Sequence, residues 1–337
     1  MYSVLFVRHS IGKILRIGLP LFVAAAILWW MYRRIEWAEV MAAMQSRRCW
    51  TWILLSMPFG VAAQVFRALR WRQVLEPLGY RPRTGVLVNS IFLSYGSSLA
   101  IPRSGEVLRC GVVRKYDGVD FSKLVGSVVT ERVIDMAMVA LFSVAVLLLQ
   151  IPVFVQFMDK TGLSLGGFMA GFTATGYMVT IVCGVLALGM ALTLMRRVHV
   201  FGRLTTRFRS FAEGLISVRK VKSPVLFLAY SVGIWLSYYL HFYVAFQCFD
   251  YTAGLGPMCA AAAFVAGCFA VLVPTPNGAG PWHFAVKTVL VLYGVGADAA
   301  AIFAFVVHTL QTLLVALLGL WSLAALARTG IEIGDYK

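Results

Sequence analysis

The chain has 337 residues, 60% of them apolar and 13% charged, with a mean hydropathy of +0.82. Soluble domains hold roughly 45–50% apolar and about 25% charged residues, so a soluble fold cannot hide this much apolar surface and lipid must serve as solvent. The net charge of +16 would point to nucleic acid if the basic residues formed one face or stripe, but they sit in short blocks at the ends of apolar runs, and no nucleic-acid partner is expected.

The first apolar run, 17–32, follows Arg8, Lys13 and Arg16 and ends in Trp29-Trp30-Met31-Tyr32-Arg33. It lacks a small-residue cleavage site and reads as an uncleaved first span with a cytoplasmic N-terminus. Trp50 to Phe66 is the second span, framed by Trp52 and Trp71 as interfacial anchors. Arg67, Arg70, Arg72, Arg81 and Arg83 follow as a basic block that orients the helix by the positive-inside rule.

Residues 84–101 are apolar but rich in serine, glycine and asparagine, and break at Pro102. The stretch from Ser104 to Lys123 is too charged to cross hydrocarbon alone, so 84–123 predicts a re-entrant hairpin. Val133 to Val155, Gly167 to Met195 and Pro224 to Phe249 are each long enough for a full span. The basic loop 196–222 between the last two belongs on the cytoplasmic side.

The last third repeats the pattern. Residues 251–273 form a small-residue apolar run that breaks at Pro274-Thr275-Pro276-Asn277-Gly278-Ala279-Gly280-Pro281. A short helix from Trp282 to Gly294 and a last span from Ala299 to Leu326 follow. The expected fold is an all-α polytopic membrane protein, one integral domain over 1–337. It has six full spans plus two broken, re-entrant segments (84–123 and 251–294) entering from opposite faces. That arrangement suggests an inverted repeat with a site near the midplane, and it puts both termini in the cytoplasm of an inner membrane.

Charges at membrane depth are costly and usually functional. At the first break, Ser104 is a plausible helix N-cap, and a helix starting at Gly105 would aim free N–H groups at the turn. With Arg103 beside it, this is a natural phosphate seat. Glu106 and Arg109 share a helix face and could form an internal ion pair that props the hairpin open. Glu131, Arg132 and Asp135 open the third full span; Glu131 and Asp135 share a face at i,i+4, so a cation should lie between them, with Arg103 or Arg109 the expected partner. At the second break, Asn277, Gly278 and Gly280 allow close backbone approach, and Pro281 suits the first position of a helix. His283 and Lys287 follow on one face and could seat a headgroup, although a lysine there could also snorkel. His241 and His308 read as satisfied core histidines. The six cysteines indicate neither a disulfide framework nor a zinc site. No Walker loop, GxSxG or HExxH motif is present, and no cofactor is expected.

The blocks Pro102-Arg103-Ser104-Gly105-Glu106-Val107-Leu108-Arg109, Glu131-Arg132-Val133-Ile134-Asp135 and Pro274-Thr275-Pro276-Asn277-Gly278-Ala279-Gly280, in that order and spacing, are informative together. In them the chain resembles the lysylphosphatidylglycerol synthase transmembrane, or flippase-like, family. These are stand-alone relatives of the membrane half of the multiple-peptide-resistance factor. The resemblance runs over nearly the whole chain. It implies lipid translocation between leaflets, with Arg103, Glu106, Arg109, Glu131, Arg132, Asp135 and residues 277–280 lining the path. Two departures stand out. Pro281-Trp282-His283 replaces the glutamate many members carry after the glycine motif, and the chain ends soon after its last span, without an aminoacyl-transferase domain, so it is not expected to make lysyl-lipid.

The expected function is therefore a flippase for a phospholipid or lipid-linked headgroup rather than an enzyme. Membrane lipids are its partners, with a lipid-synthesis enzyme or a second copy as further ones. The alternatives are an intramembrane transferase using Glu106 or Asp135 as a base, since some archaeal relatives are described as glycosyltransferases, and a non-transporting scaffold.

Overall fold

In the computed structural model the described residues, 22, 25–29, 32–33, 37–101, 104–150, 217–273 and 275–329, form helices and turns and no strand. Four helical stretches among them, Arg47–Leu78, Phe121–Leu149, Pro224–Cys248 and Ala297–Arg328, are long and apolar enough to cross a bilayer. Most of the first predicted span, all of the predicted span Gly167 to Met195, and the basic loop up to residue 216 lie outside the described residues.

Helix α1 (Trp37–Gln45) is short. Helix α2 (Arg47–Leu75) starts where Ser46 accepts a hydrogen bond from the Cys49 amide and runs 29 residues, about 43 Å at 1.5 Å per residue. Two 14-residue helices follow, α3 (Thr84–Ser97) and α4 (Ser104–Asp117). Each is about 21 Å long, short of the ~30 Å hydrocarbon core. They fold back on each other as a hairpin. At its open end Arg83 Nε meets Asp117 Oδ1 at 2.7 Å and Arg83 N meets Asp117 Oδ2 at 3.1 Å. Near its tip a Cβ on Gly105 would lie 2.0 Å from the Ser94 carbonyl oxygen, so only glycine permits this approach.

Helix α5 (Phe121–Leu149) is capped by Asp120, which accepts from the Lys123 amide. It begins twelve residues earlier than the span predicted from Val133, because the cap and the apolar Val125, Val128 and Val129 extend the helix backwards. Glu131, Arg132 and Asp135 therefore do not open the helix. They sit ten to fourteen residues inside it, about 15–21 Å from its start. Large apolar side chains of α5, including Val133, Met136, Leu141 and Leu147, point outward and exposed, as a lipid-facing surface requires.

Helix α6 (Pro224–Ala245) runs antiparallel to α2: Arg70 Nη1 reaches Ser231 Oγ at one end, 3.3 Å away, and Arg48 pairs with Asp250 at the other. After a turn at Asp250–Ala253, helices α7 (Gly256–Ala270) and α8 (Pro281–Leu292) form a second hairpin. Gln150, just past the end of α5, ties both of its open ends: its Nε2 donates to the Met258 carbonyl at 2.7 Å, and its Oε1 accepts from the Tyr293 hydroxyl. Helix α9 (Ala297–Arg328) closes the bundle.

The open end of the first hairpin thus lies at the start of α5 and that of the second at its finish. Each half of the chain reads long helix, hairpin, long helix, and the two halves run in opposite directions. Two apolar cores match this division. One gathers Trp71, Leu75, Val86, Ile91, Leu124 and Leu326 around the first hairpin; the other gathers Phe242, Ala260, Val286, Leu290, Phe303 and Val307 around the second.

Candidate functional site

A network of arginines and carboxylates joins α2, α4 and α5. Arg67 Nη1 lies 2.6 Å from Glu131 Oε1 and 2.5 Å from Asp135 Oδ2. Arg70 Nη2 lies 2.7 Å from Asp135 Oδ1 and 3.4 Å from Glu131 Oε1. Arg109 Nη2 approaches Glu131 Oε2 at 3.1 Å, and its guanidinium stacks 4.6 Å from the ring centroid of Trp71. Arg67, Arg70, Arg109, Glu131 and Asp135 are all at most 5% exposed. Beside the network the Tyr95 and Tyr238 hydroxyls bond each other at 2.9 Å.

The rim is more open. Arg132 Nε pairs with Glu106 Oε1 at 2.9 Å, and these side chains are 39% and 42% exposed. Arg132 also stands 3.6 Å from Asp135 and 3.8 Å from Glu131, so a continuous line of charge runs from the half-exposed rim into the bundle. Among the described residues the buried part holds three guanidinium groups against two carboxylates. Arg67 Nε, Arg109 Nε, Arg109 Nη2 and Glu131 Oε2 have no hydrogen-bond partner among the described residues. An uncompensated buried charge costs several kcal/mol.

The sequence expectations are redistributed by this geometry. Glu106 and Arg109 share a helix but do not pair: Glu106 takes Arg132 and Arg109 takes Glu131. The cations between Glu131 and Asp135 are chiefly Arg67 and Arg70, which the sequence placed in an orienting basic block. Both are at most 2% exposed. Trp71 is not an interfacial anchor; it is fully buried and donates from Nε1 to Ser127 Oγ at 2.9 Å. Ser104 does not precede its helix as a cap but is its first residue, and its hydroxyl donates to the Ser97 carbonyl at 3.3 Å. Gly105 serves the close approach of α3 and α4. Pro102 and Arg103 lie outside the described residues.

The second break forms a separate polar site against α9. Asn277, at φ 50°, and Gly278 and Gly280, at 73° and 88°, make the bend, and Pro281 is the first residue of α8. Asn277 Nδ2 donates to Thr312 Oγ1 at 2.7 Å, and His308 Nε2 meets the Asn277 carbonyl at 3.1 Å. The Gly280 amide donates to His283 Nδ1 at 3.3 Å, so the donor just ahead of α8 is taken up internally rather than offered to a ligand. His241 is satisfied as expected, 2.8 Å from the Ser56 carbonyl. Lys287, one turn along α8, is half-buried and takes no part in either set. The first hairpin touches α9 at Gly319, where a Cβ on Gly96 would meet its Cα at 2.9 Å, and the second touches it at Thr312. The two tips are therefore about 10 Å apart along that helix, and the residues singled out from the sequence fall into two sites rather than one.

Over 164 residues the chain is 30% identical to "Glycosyltransferase AglD" of Haloferax volcanii, a match covering 44% of this chain and 26% of that protein. The chain thus spans only about a quarter of that relative's length. No solved structure matches it. The family model described as "Lysylphosphatidylglycerol synthase TM region" matches residues 17–319, which take in both hairpins, three of the four long helices, most of α9 and the arginine–carboxylate network. The chain is a member of that membrane-protein family.

Proposed function

We propose that the protein carries a phospholipid or lipid-linked headgroup between leaflets, with the network of α2, α4 and α5 as its phosphate seat. The observation that supports this reading is the excess of buried guanidinium over carboxylate among the described residues, beside the half-exposed pair Arg132 and Glu106. Guanidinium groups bind phosphate in bidentate fashion. A headgroup phosphate drawn to Arg132 frees Glu106 from its ion pair, and Glu106 then meets an amine on the same headgroup. The lipid tails stay in the bilayer throughout.

Both hairpins are read here as re-entrant, entering from opposite faces, because their arms are shorter than the hydrocarbon core and their open ends lie at opposite ends of α5. Two inverted halves meeting at broken helices are the arrangement in which rocking exposes one site to each face in turn. Arg72, Arg81, Arg83, Lys123, Lys222 and Arg328 gather at the open end of the first hairpin, whereas the described basic residues Arg33, Arg47 and Arg48 lie at the other end beside Glu39, Asp250 and Asp298. The positive-inside rule makes the first end cytoplasmic.

A second reading, an intramembrane transferase acting on a lipid-linked substrate, is favoured by the similarity to a protein named a glycosyltransferase. Against it, both oxygens of Asp135 are held by arginines, which leaves Glu106 as the exposed base. Purified protein in liposomes separates the two readings. A flippase changes which leaflet a fluorescent lipid occupies without altering the lipid's mass, while a transferase changes the mass.

A further inference from the structure

At the end of the bundle opposite the arginine network, two cysteines from distant parts of the chain meet. Cys49 is in the first turn of α2, and Cys248 lies just beyond α6. Cys49 is 1% and Cys248 3% exposed. The Cys248 thiol donates to the Cys49 carbonyl oxygen at 3.7 Å, and both cysteines are free thiols in the structure. The same junction is held by Arg48, which donates to the Gln247 carbonyl at 2.9 Å and pairs with Asp250. In the orientation proposed above, on which this inference rests, this end lies outside the cytoplasm. Disulfides form and persist on that side of a membrane.

We propose that Cys49 and Cys248 form a disulfide that fastens the start of α2 to the end of α6 on the extracytoplasmic face. The bond forms by exchange with the disulfide of a thiol-oxidising protein of that compartment. One thiolate attacks the donor disulfide, and the second displaces the resulting mixed disulfide. The two cysteines lose two protons and two electrons, one S–S bond forms, and the donor leaves as a dithiol. The early exchange, before burial is complete, explains how such enclosed sulfurs are reached. The bond would join residues 199 apart in sequence at the pivot between the two long helices that begin and end there. The two inverted halves would then move about a fixed outer hinge.

The test is independent of lipid transport. Membranes are opened in denaturant with N-ethylmaleimide present, so that every free thiol is capped at once. The full-length protein is then reduced, and newly exposed thiols are capped with iodoacetamide. Peptide mass spectrometry of the wild type is expected to show iodoacetamide at Cys49 and Cys248 in the majority of molecules and N-ethylmaleimide at Cys110, Cys259 and Cys268. In C49S, Cys248 is expected to move to the N-ethylmaleimide pool. Maleimide on both Cys49 and Cys248 of the wild type in the first step overturns the proposal. So does a Cys248 that stays protected in C49S, since its partner would then be another sulfur. The wild-type result decides the question even if C49S is poorly produced.

Discussion

Arg67 and Asp135 meet at 2.5 Å although 68 residues separate them in the chain. This contact sets α2 against α5 and fixes the depth at which the charges are buried. Removing one partner of a buried ion pair leaves an uncompensated charge and costs about 3–5 kcal/mol. Arg67→Ala should therefore lower the melting temperature of the purified protein sharply. Arg67→Ala with Asp135→Ala should be less destabilised than the sum of the two single changes. Strict additivity in this double-mutant cycle would show that the pair is not coupled.

Arg132 and Glu106 should behave in the opposite way. Half-exposed ion pairs contribute about 0–1 kcal/mol, so Arg132→Ala and Glu106→Gln should fold and melt close to wild type. Either change should still slow lipid translocation by at least about tenfold, the equivalent of 1.4 kcal/mol. A large loss of thermal stability with normal specific activity would make the rim pair a structural brace.

Gly105→Ala places a methyl group where the Ser94 carbonyl already stands. Overpacking of this kind typically costs 1–3 kcal/mol, and the first hairpin would have to open to relieve it. Gly85, on the other arm, has nothing within 4 Å of its would-be Cβ. Gly85→Ala should be neutral or stabilising by about 0.5–1 kcal/mol through helix propensity. Melting curves of the two variants should diverge in opposite directions.

At the second break Asn277 holds a left-handed backbone at φ 50° and bonds Thr312 through its amide. Asn277→Gly keeps the bend and loses only the side-chain bond. Asn277→Ala loses the bond and adds about 1–2 kcal/mol of backbone strain. The alanine variant should melt below the glycine variant; the reverse order would show that the bend is not under conformational constraint.

The opposed hairpins make a topological prediction. A single cysteine at position 79, beside the open end of the first hairpin, should react with a membrane-impermeant maleimide only after the membrane is opened. One at position 254, beside the open end of the second, should react in intact cells. Labelling of both from the same side would contradict the inverted arrangement.

The broken segments were legible in the sequence because apolar runs rich in small residues are interrupted by proline and glycine at 102–105 and 274–281, and the structure shows a hairpin at each. The need for a cation near Glu131 and Asp135 was equally legible from their i,i+4 spacing. Its source was not. Arg67 and Arg70 follow an apolar run and precede Arg72, and hydropathy cannot tell a buried arginine from one at an interface. A signal was present nonetheless: Gln64, Arg67 and Trp71 recur at helical spacing, a polar-tipped stripe that a lipid-facing helix would not carry, and all three are at most 3% exposed. The pairing of Glu106 with Arg132 rather than Arg109 depends on how α4 leans on α5, which no local pattern encodes. The start of α5 was misjudged because Glu131 and Asp135 look like charges at a helix end until their partners on α2 are known.

The central claim is tested most directly by following leaflet exchange of fluorescent phospholipids in proteoliposomes holding wild-type protein or Arg132→Ala at matched amounts of folded protein. Lipids with a phosphate alone and with a phosphate plus an amine are run in parallel. The account predicts exchange by the wild type, fastest for the amine-bearing headgroup, and loss of that exchange in Arg132→Ala. Wild-type and variant rates that both equal those of protein-free liposomes, under an imposed ion gradient as well as without one, would contradict it.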